Sequence, residues 1–150
     1  MKTYLVTGAA GFIGAAIAKN LLDEGNKVVT IDNLSTGKEE VVPEGCVFIK
    51  GNDYDPEVIA QLDAYKFDSI IHIAGQSSGE VSFENPVYDL QTNAQSTVML
   101  LKYAQKTGCK EFIFASSMAL CPSKFIPFMQ TNAQPFSHFS GLSVTNEIST

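Results

Sequence analysis

The chain lacks arginine and tryptophan altogether, and it carries a formal net charge of −6 over 150 residues. Nucleic-acid binding needs a concentrated basic surface, so this composition argues against such a partner. Cys46, Cys109 and Cys121 are odd in number and have no CxxC spacing, which argues against a disulfide framework and a zinc site. No stretch has the roughly 18 apolar residues that a membrane span needs. We therefore expect a protein of the reducing cytoplasm, without a membrane or metal.

Tyrosine and lysine are missing from the C-terminal part of the sequence. The last tyrosine is Tyr103 and the last lysine is Lys124. That part of the chain therefore has no phenol or ammonium group for acid–base chemistry. The overall content of 45% hydrophobic and 17% charged residues is nevertheless typical of a folded globular chain.

A glycine-rich turn, TGAAGFIG, is the strongest positive signal. It follows a β-rich run at residues 2–7 and opens an amphipathic helix for which Gly25 is a plausible C-cap. Gly8 lets the chain leave the strand, Gly11 leaves room for a phosphate, and Gly14 lets the helix pack close to the sheet. The pattern predicts a dinucleotide pyrophosphate at the helix N-terminus.

Asp32 follows the second predicted strand, residues 27–31, about twenty residues after the glycine turn. A carboxylate at this place accepts hydrogen bonds from the ribose hydroxyls of NAD and repels the 2′-phosphate of NADP. The absence of arginine also removes the usual partner of that phosphate. The sequence therefore favours NAD, although Asp32-Asn33 is also good turn chemistry.

The pattern of strands and helices predicts an α/β fold, a Rossmann-like doubly wound parallel sheet. The further predicted strands are residues 46–50, 68–73 and 111–115. The further predicted helices are residues 56–65 and 84–107, the latter capped by Gly108. Each motif lies at the carboxyl end of a strand, where such sheets bind ligands.

Four motifs carry a resemblance to a known family. They are TGAAGFIG, DNLSTG at residues 32–37, HIAGQSS at 72–78 and FASSMAL at 114–120, with Asn93 in a long helix between the last two. Together they resemble the extended short-chain dehydrogenase/reductase superfamily. DNLSTG and the stretch SSGEVSFENP at 77–86 are most similar to its NAD-dependent nucleotide-sugar epimerases and dehydratases.

The resemblance implies three groups of cofactor-binding residues. The pyrophosphate cradle would be Gly8, Gly11, Phe12, Ile13 and Gly14. The surroundings of the adenosine ribose would be Asp32, Asn33, Ser35, Thr36 and Gly37. The wall on the nicotinamide side would be Ala74, Gly75 and Gln76, with Asn93 steadying the sheet end beside them.

The adenine subsite departs mildly from the family pattern. The family often has Gly-Asp after the third strand, whereas here Gly51 is followed by Asn52 and then by Asp53. An amide oxygen still accepts a hydrogen bond from the adenine amino group. Asp53 and Asp55 are alternatively solvated turn residues before the helix that starts at Pro56.

The catalytic positions depart more strongly. Ser117 matches the family's active-site Ser/Thr, which hydrogen-bonds the sugar hydroxyl; alternatively its hydroxyl only satisfies local backbone. The stretch FSGLSVTNE resembles the family segment YGLSKxxNE, and it places Ser140 at the tyrosine position and Val144 at the lysine position. Neither side chain can act as the phenolate base or the ammonium that lowers its pKa.

The resemblance covers essentially the whole chain, but the chain corresponds to only about the first half of such an enzyme. We expect an incomplete NAD-binding domain over residues 1–150 that lacks the C-terminal substrate domain. It would accept a nucleotide-sugar only if a substrate domain is supplied. Self-association could cover a Phe-rich segment of Phe125, Phe128, Phe136 and Phe139. Three functions stay open: an impaired epimerase or dehydratase, a non-catalytic NAD-binding or assembly module, and a degenerate gene product.

Overall fold

The computed structural model describes residues 1–116, in which strands alternate with helices. The strands are β1 (Thr3–Thr7), β2 (Lys27–Asp32), β3 (Val47–Lys50), β4 (Ser69–His72) and β5 (Glu111–Phe114). The α-helices are α1 (Phe12–Asp23), α2 (Pro56–Gln61), α3 (Gly79–Glu84), α4 (Pro86–Leu90) and α5 (Ser96–Thr107). Short 3-10 helices occur at Glu39–Val41 and Leu62–Ala64, and a π-helical turn occurs at Gln91–Gln95.

The described strands form one parallel sheet in the order β3-β2-β1-β4-β5. The chain runs outward from β1 to β3, then crosses back to β4 on the other side of β1. The strand order therefore reverses between β1 and β4, which is where sheets of this kind bind ligands. The predicted Rossmann-like doubly wound α/β fold is confirmed.

Both faces of the sheet are buried. On one face, Leu5 of β1 and Ile70 of β4 belong to a core cluster with Leu100 and Tyr103 of α5. On the other face, Val6 of β1 packs in a cluster with side chains of α1. Successive strand residues point to opposite faces, so apolar residues follow one another along these strands.

The approach of α1 to β1 is too close for any side chain at the contact. A Cβ built on Gly14 would lie 2.1 Å from the carbonyl oxygen of Gly8, and Gly8 itself has a positive φ of 74°. At the other end of α1, Gly25 has a φ of 80° and donates its N–H to the carbonyl of Leu22 at 2.8 Å. The predicted roles of these glycines in the fold follow from this geometry.

The predicted strands agree with the structure to within one residue at each end. The helix predicted over residues 84–107 is confirmed from Pro86 onward, because α4, the π-helical turn and α5 follow one another without a gap over residues 86–107; α3 and the π-helical turn were not predicted. Asn85 separates α3 from α4: its side chain accepts the N–H of Tyr88 at 3.1 Å, and Pro86 begins α4 at N1, where its missing N–H is harmless. Gly108 caps α5 with a φ of 71°, as predicted.

Within residues 1–116, no helix is both long enough and apolar enough to cross a bilayer.

Replacing Gly14 with alanine should destabilise the fold, because the new methyl group would overlap the Gly8 carbonyl. We expect the free energy of unfolding to fall by at least about 2 kcal/mol, measured by urea denaturation. Gly79→Ala is the matched control, since a Cβ there meets no described atom within 4 Å. Equal stability of the two variants would contradict the proposed contact.

Candidate cofactor-binding site

A cleft of about 560 Å³ opens at the carboxyl ends of β1, β2 and β4, beside the N-terminus of α1. It is lined by all but one of the predicted cofactor residues. These are Gly8, Gly11, Phe12, Ile13, Gly14, Asp32, Asn33, Ser35, Thr36, Gly37, Asn52, Asp53, Ala74, Gly75 and Gln76. The exception, Asn93, lies behind the loop that follows β4.

The glycine turn presents backbone to the cleft. Gly11 is the N-cap of α1 with extended φ and ψ of −93° and 164°, and the first N–H groups of a helix have no partner within it. A Cβ on Gly11 would meet the Gly8 carbonyl oxygen at 3.3 Å. Internal packing therefore leaves limited room for a side chain at Gly11. The free N–H groups and the helix dipole fit an anionic group such as a phosphate.

Asp32 is tied to this turn by hydrogen bonds to both carboxylate oxygens. Oδ2 accepts the N–H of Ala10 at 2.9 Å, and Oδ1 accepts the N–H of Leu34 at 2.8 Å. The second bond closes a turn in which Leu34 adopts a positive φ of 59°. Asp32 thus does begin a turn, and it also joins the end of β2 to the glycine turn. Each oxygen keeps acceptor capacity for a further donor.

The loop after β2 packs directly on the glycine turn through Gly37. A Cβ on Gly37 would lie 2.5 Å from the carbonyl oxygen of Ala10. Asn33 in the same loop donates from Nδ2 to Oδ1 of Asn52 at 2.9 Å, and Asn52 donates to Asp55 at 2.8 Å. The predicted ribose and adenine residues are therefore one connected rim of the cleft.

Asp53 is buried in the structure, so the alternative that it is a solvated turn residue is wrong. Only 6% of Asp53 is exposed, and its Oδ2 lies 3.5 Å from Nδ1 of His72. Burial, with smaller contributions from the charges of Asp32 and Asp55, raises the pKa of Asp53 to about 6. Burial also lowers the pKa of His72 to about 4. The fold therefore disfavours the charged form of both groups: His72 is neutral at pH 7, whereas Asp53 becomes mostly neutral only below about pH 6.

Hydrogen-bond directions around His72 explain why ionised Asp53 is disfavoured. Oγ1 of Thr7 accepts the N–H groups of Ile73 and Ala74, so its proton is directed to Nδ1 of His72 at 2.7 Å. Nε2 then carries the imidazole proton and donates to Thr97 at 3.1 Å. Nδ1 consequently carries no proton and cannot donate to Oδ2 of Asp53. Among the described residues, no hydrogen-bond donor reaches Oδ2 of Asp53.

The loop after β4 is held by the side-chain amide of Asn93. Oδ1 accepts the N–H of Gln76 at 2.8 Å, and Nδ2 donates to the carbonyl of Gln76 at 2.9 Å. Asn93 lies in the π-helical turn. Backbone carbonyls of this turn accept hydrogen bonds from hydroxyl groups four residues further along the chain; for example, Oγ of Ser96 donates to the carbonyl of Thr92 at 2.6 Å. A π-helical turn is common at functional sites.

Several cleft residues escaped the sequence reasoning. They are Ile31, Gly51, Ile73, Ser77, Ser78, Val81, Tyr88 and Thr92. Ser77 and Ser78 lie in a motif that could have indicated them, whereas Tyr88 and Thr92 reach the cleft through the packing of α4 and the π-helical turn. The predicted catalytic positions Ser117, Ser140 and Val144 lie outside the described residues, as does the Phe-rich segment.

The fold and the cleft together define the class of Rossmann-like dinucleotide-binding domains. The model of the NAD dependent epimerase/dehydratase family matches residues 4–143, and the chain belongs to that family. The resemblance found in the sequence and the prediction of NAD as the family's cofactor are confirmed.

Individual relatives agree with this assignment. The chain is 34% identical to a UDP-glucose 4-epimerase of Streptomyces lividans and 35% identical to one of Mycolicibacterium smegmatis, over 77% and 78% of its length. It covers 36% and 39% of those proteins. The chain thus spans well under half of the length of these relatives.

Solved structures are similar as well. A UDP-glucose 4-epimerase of Thermotoga maritima with UDP-glucose matches with a TM-score of 0.74 and 34% identity, over 77% of this chain and 38% of that one. A Thermus thermophilus UDP-glucose 4-epimerase in complex with NAD matches with a TM-score of 0.69 and 37% identity, over 73% and 36%.

Asp53→Asn should stabilise the protein at alkaline pH. The raised pKa means that Asp53 contributes stability below its unfolded pKa and loses it as pH rises through about 6. The lowered pKa of His72 has the opposite effect, because its contribution to stability is lost as pH falls through about 4. Both proteins contain His72, so this effect cancels in the comparison. We expect Asp53→Asn to match the original protein near pH 4 and to exceed its unfolding free energy by about 2 to 3 kcal/mol at pH 8.

Denaturant unfolding across this pH range measures the difference. Asp63→Asn is the control, because Asp63 lies at the surface in an ion pair with Lys106 at 3.0 Å. Its difference from the original protein should stay nearly flat with pH. A flat difference for Asp53→Asn as well would contradict the raised pKa of Asp53.

Proposed function

We propose that this chain binds NAD in the cleft at the carboxyl ends of β1, β2 and β4. The observation that carries the proposal is the tie between Asp32 and the N–H of Ala10 at 2.9 Å. It fixes a carboxylate beside the anion-binding end of α1. A group with a diphosphate next to a ribose diol matches that pair of sites.

Three parts of the cleft receive the cofactor. The N–H groups of the glycine turn bind the diphosphate, and the carboxylate of Asp32 accepts from the ribose hydroxyls. The loop 74–76 forms the wall on the nicotinamide side. When bound, NAD supplies a hydride acceptor.

NAD is the better fit than NADP. The carboxylate of Asp32 would repel a 2′-phosphate, and its two anchoring bonds hold it in place. The sequence offers no arginine for such a phosphate, and the described residues that line the cleft include no lysine. A 2′-phosphate would therefore meet negative charge without compensation.

We further propose that sugar-nucleotide turnover by this chain is impaired. The family chemistry transfers a hydride reversibly between a sugar carbon and NAD, and it uses a tyrosine and a lysine. In the alignment that the resemblance implies, Ser140 occupies the tyrosine position and Val144 the lysine position. This substitution favours a second candidate function, a non-catalytic NAD-binding or assembly module. UDP-glucose, the ligand in the Thermotoga maritima structure, is the substrate to try.

Calorimetric titration with NAD⁺, NADP⁺ and UDP-glucose tests the proposal. We expect saturable binding of NAD⁺, binding of NADP⁺ weaker by at least about tenfold because one repelled charge is worth more than about 1.4 kcal/mol at this site, and no epimerisation of UDP-glucose. Absence of NAD⁺ binding would contradict the proposed function and favour a degenerate product. Turnover of UDP-glucose would contradict the proposed impairment.

Asp32→Ala and Gly11→Ala should weaken NAD⁺ binding by different routes. The first removes the ribose acceptor, and the second adds a methyl group to the turn whose backbone would hold the phosphate; we expect losses of at least about tenfold for each. Gly11 has a φ that alanine adopts readily, so the fold should survive, as circular dichroism would report. Asp23→Ala is the control, because Asp23 pairs with Lys19 on the exposed side of α1. Unchanged affinity in Asp32→Ala would contradict the ribose assignment.

A further inference from the structure

Asp89 of α4 lies at the centre of a polar cluster behind the loop 74–76. Its Oδ1 accepts three hydrogen bonds: from Nε2 of Gln76 at 2.9 Å, from Oγ of Ser82 at 2.7 Å, and from Nδ2 of Asn93 at 3.1 Å. One carboxylate oxygen thus joins α3, the loop after β4 and the π-helical turn. Hydrogen bonds to an ionised acceptor are stronger than those between neutral groups.

The cluster decides the orientation of two side-chain amides. Asn93 matches the backbone of Gln76 only when Oδ1 faces the N–H and Nδ2 faces the carbonyl. Rotation of the amide by half a turn would place donor against donor and acceptor against acceptor. Ionised Asp89 is an acceptor only, so it permits Nδ2 of Asn93 and Nε2 of Gln76 to face it and rejects the rotated forms.

The loop is in close contact with the amide that Asp89 orients. A Cβ on Gly75 would lie 3.0 Å from Oδ1 of Asn93, so the loop backbone lies close to this amide and a side chain at position 75 would crowd it. Oε1 of Gln76, set by the same orientation, accepts the N–H of Ser78 at the start of α3. The hydrogen bonds of Asp89 to Gln76 and Asn93 therefore help to fix the position of the loop 74–76, which forms the wall of the cleft.

We propose that Asp89 is a positioning residue that locks the amides of Asn93 and Gln76 and thereby holds the loop 74–76 against the cofactor cleft. Its effect on affinity rests on the proposed binding of NAD. Its effect on the loop does not, because the hydrogen bonds concerned lie entirely within the protein.

Two readouts on the full chain separate these statements: NAD⁺ affinity by calorimetry, and hydrogen exchange of the Gln76 amide by NMR without cofactor. Asp89→Ala should weaken NAD⁺ binding by about tenfold or more and speed Gln76 exchange by a similar factor, since it removes bonds to a charged acceptor. Asp89→Asn, which retains an acceptor oxygen, should restore both to within about threefold. Glu84→Ala removes a nearby exposed charge at the end of α3 and should change neither.

Exchange of Gln76 at the original rate in Asp89→Ala would overturn the proposal, as would Asp89→Asn behaving like Asp89→Ala in both readouts. If the original protein fails to bind NAD⁺, the proposed function is wrong, and the exchange rates still decide the role of Asp89. Circular dichroism verifies folding of each variant. If Asp89→Ala does not fold, Asp89→Ser takes its place, because the serine hydroxyl is too short to reach Asn93.

Discussion

The backbone contact between Gly14 and Gly8 is the constraint on which the cleft depends. With a Cβ on Gly14 excluded at 2.1 Å from the Gly8 carbonyl, the first turn of α1 can rest directly on the end of β1. A Cβ on Gly8 would in turn lie 2.9 Å from the backbone nitrogen of Ala74. The glycine turn therefore fits between α1 and the loop after β4. This packing directs the N-terminus of α1 toward the cleft and leaves the N–H of Ala10 available to Asp32.

A buried polar layer lies directly below this contact, above the apolar core. Thr7 connects it: its hydroxyl accepts two N–H groups of the loop after β4 and donates to His72. Most buried polar groups need such partners, and this hydroxyl satisfies backbone and imidazole together. Asp53 is the member whose Oδ2 finds no donor among the described residues. Burial raises the pKa of Asp53, and because the Thr7 hydroxyl donates to Nδ1 of His72, that nitrogen has no proton to offer Oδ2.

The strands and the glycine turn could be predicted because local chemistry determines them. Apolar runs between turn residues gave the strands, and Gly8 and Gly14 stand where no side chain fits. Helix α3 and its separation from α4 at Asn85 were missed, although Asn-Pro is a recognisable stop signal. The burial of Asp53 could not be predicted, since it depends on the tertiary position of His72. The roles of the cofactor residues remain predictions, even though nearly all of them meet at one cleft.

Charge in the cleft ties the polar layer to the proposed ligand. The described lining residues include no lysine, so a diphosphate there depends on N–H groups and the dipole of α1 rather than on a cation. Such binding tolerates little negative charge nearby. The carboxylate oxygens of Asp32 accept two backbone N–H groups, and burial raises the pKa of Asp53 to about 6. A protonated Asp53 adds no repulsion, whereas an ionised one would lie in the same cleft as the phosphates. Burial in this layer raises the pKa of Asp53, so its carboxyl loses its charge as the pH falls through about 6 and only then adds no repulsion to an anion in the cleft.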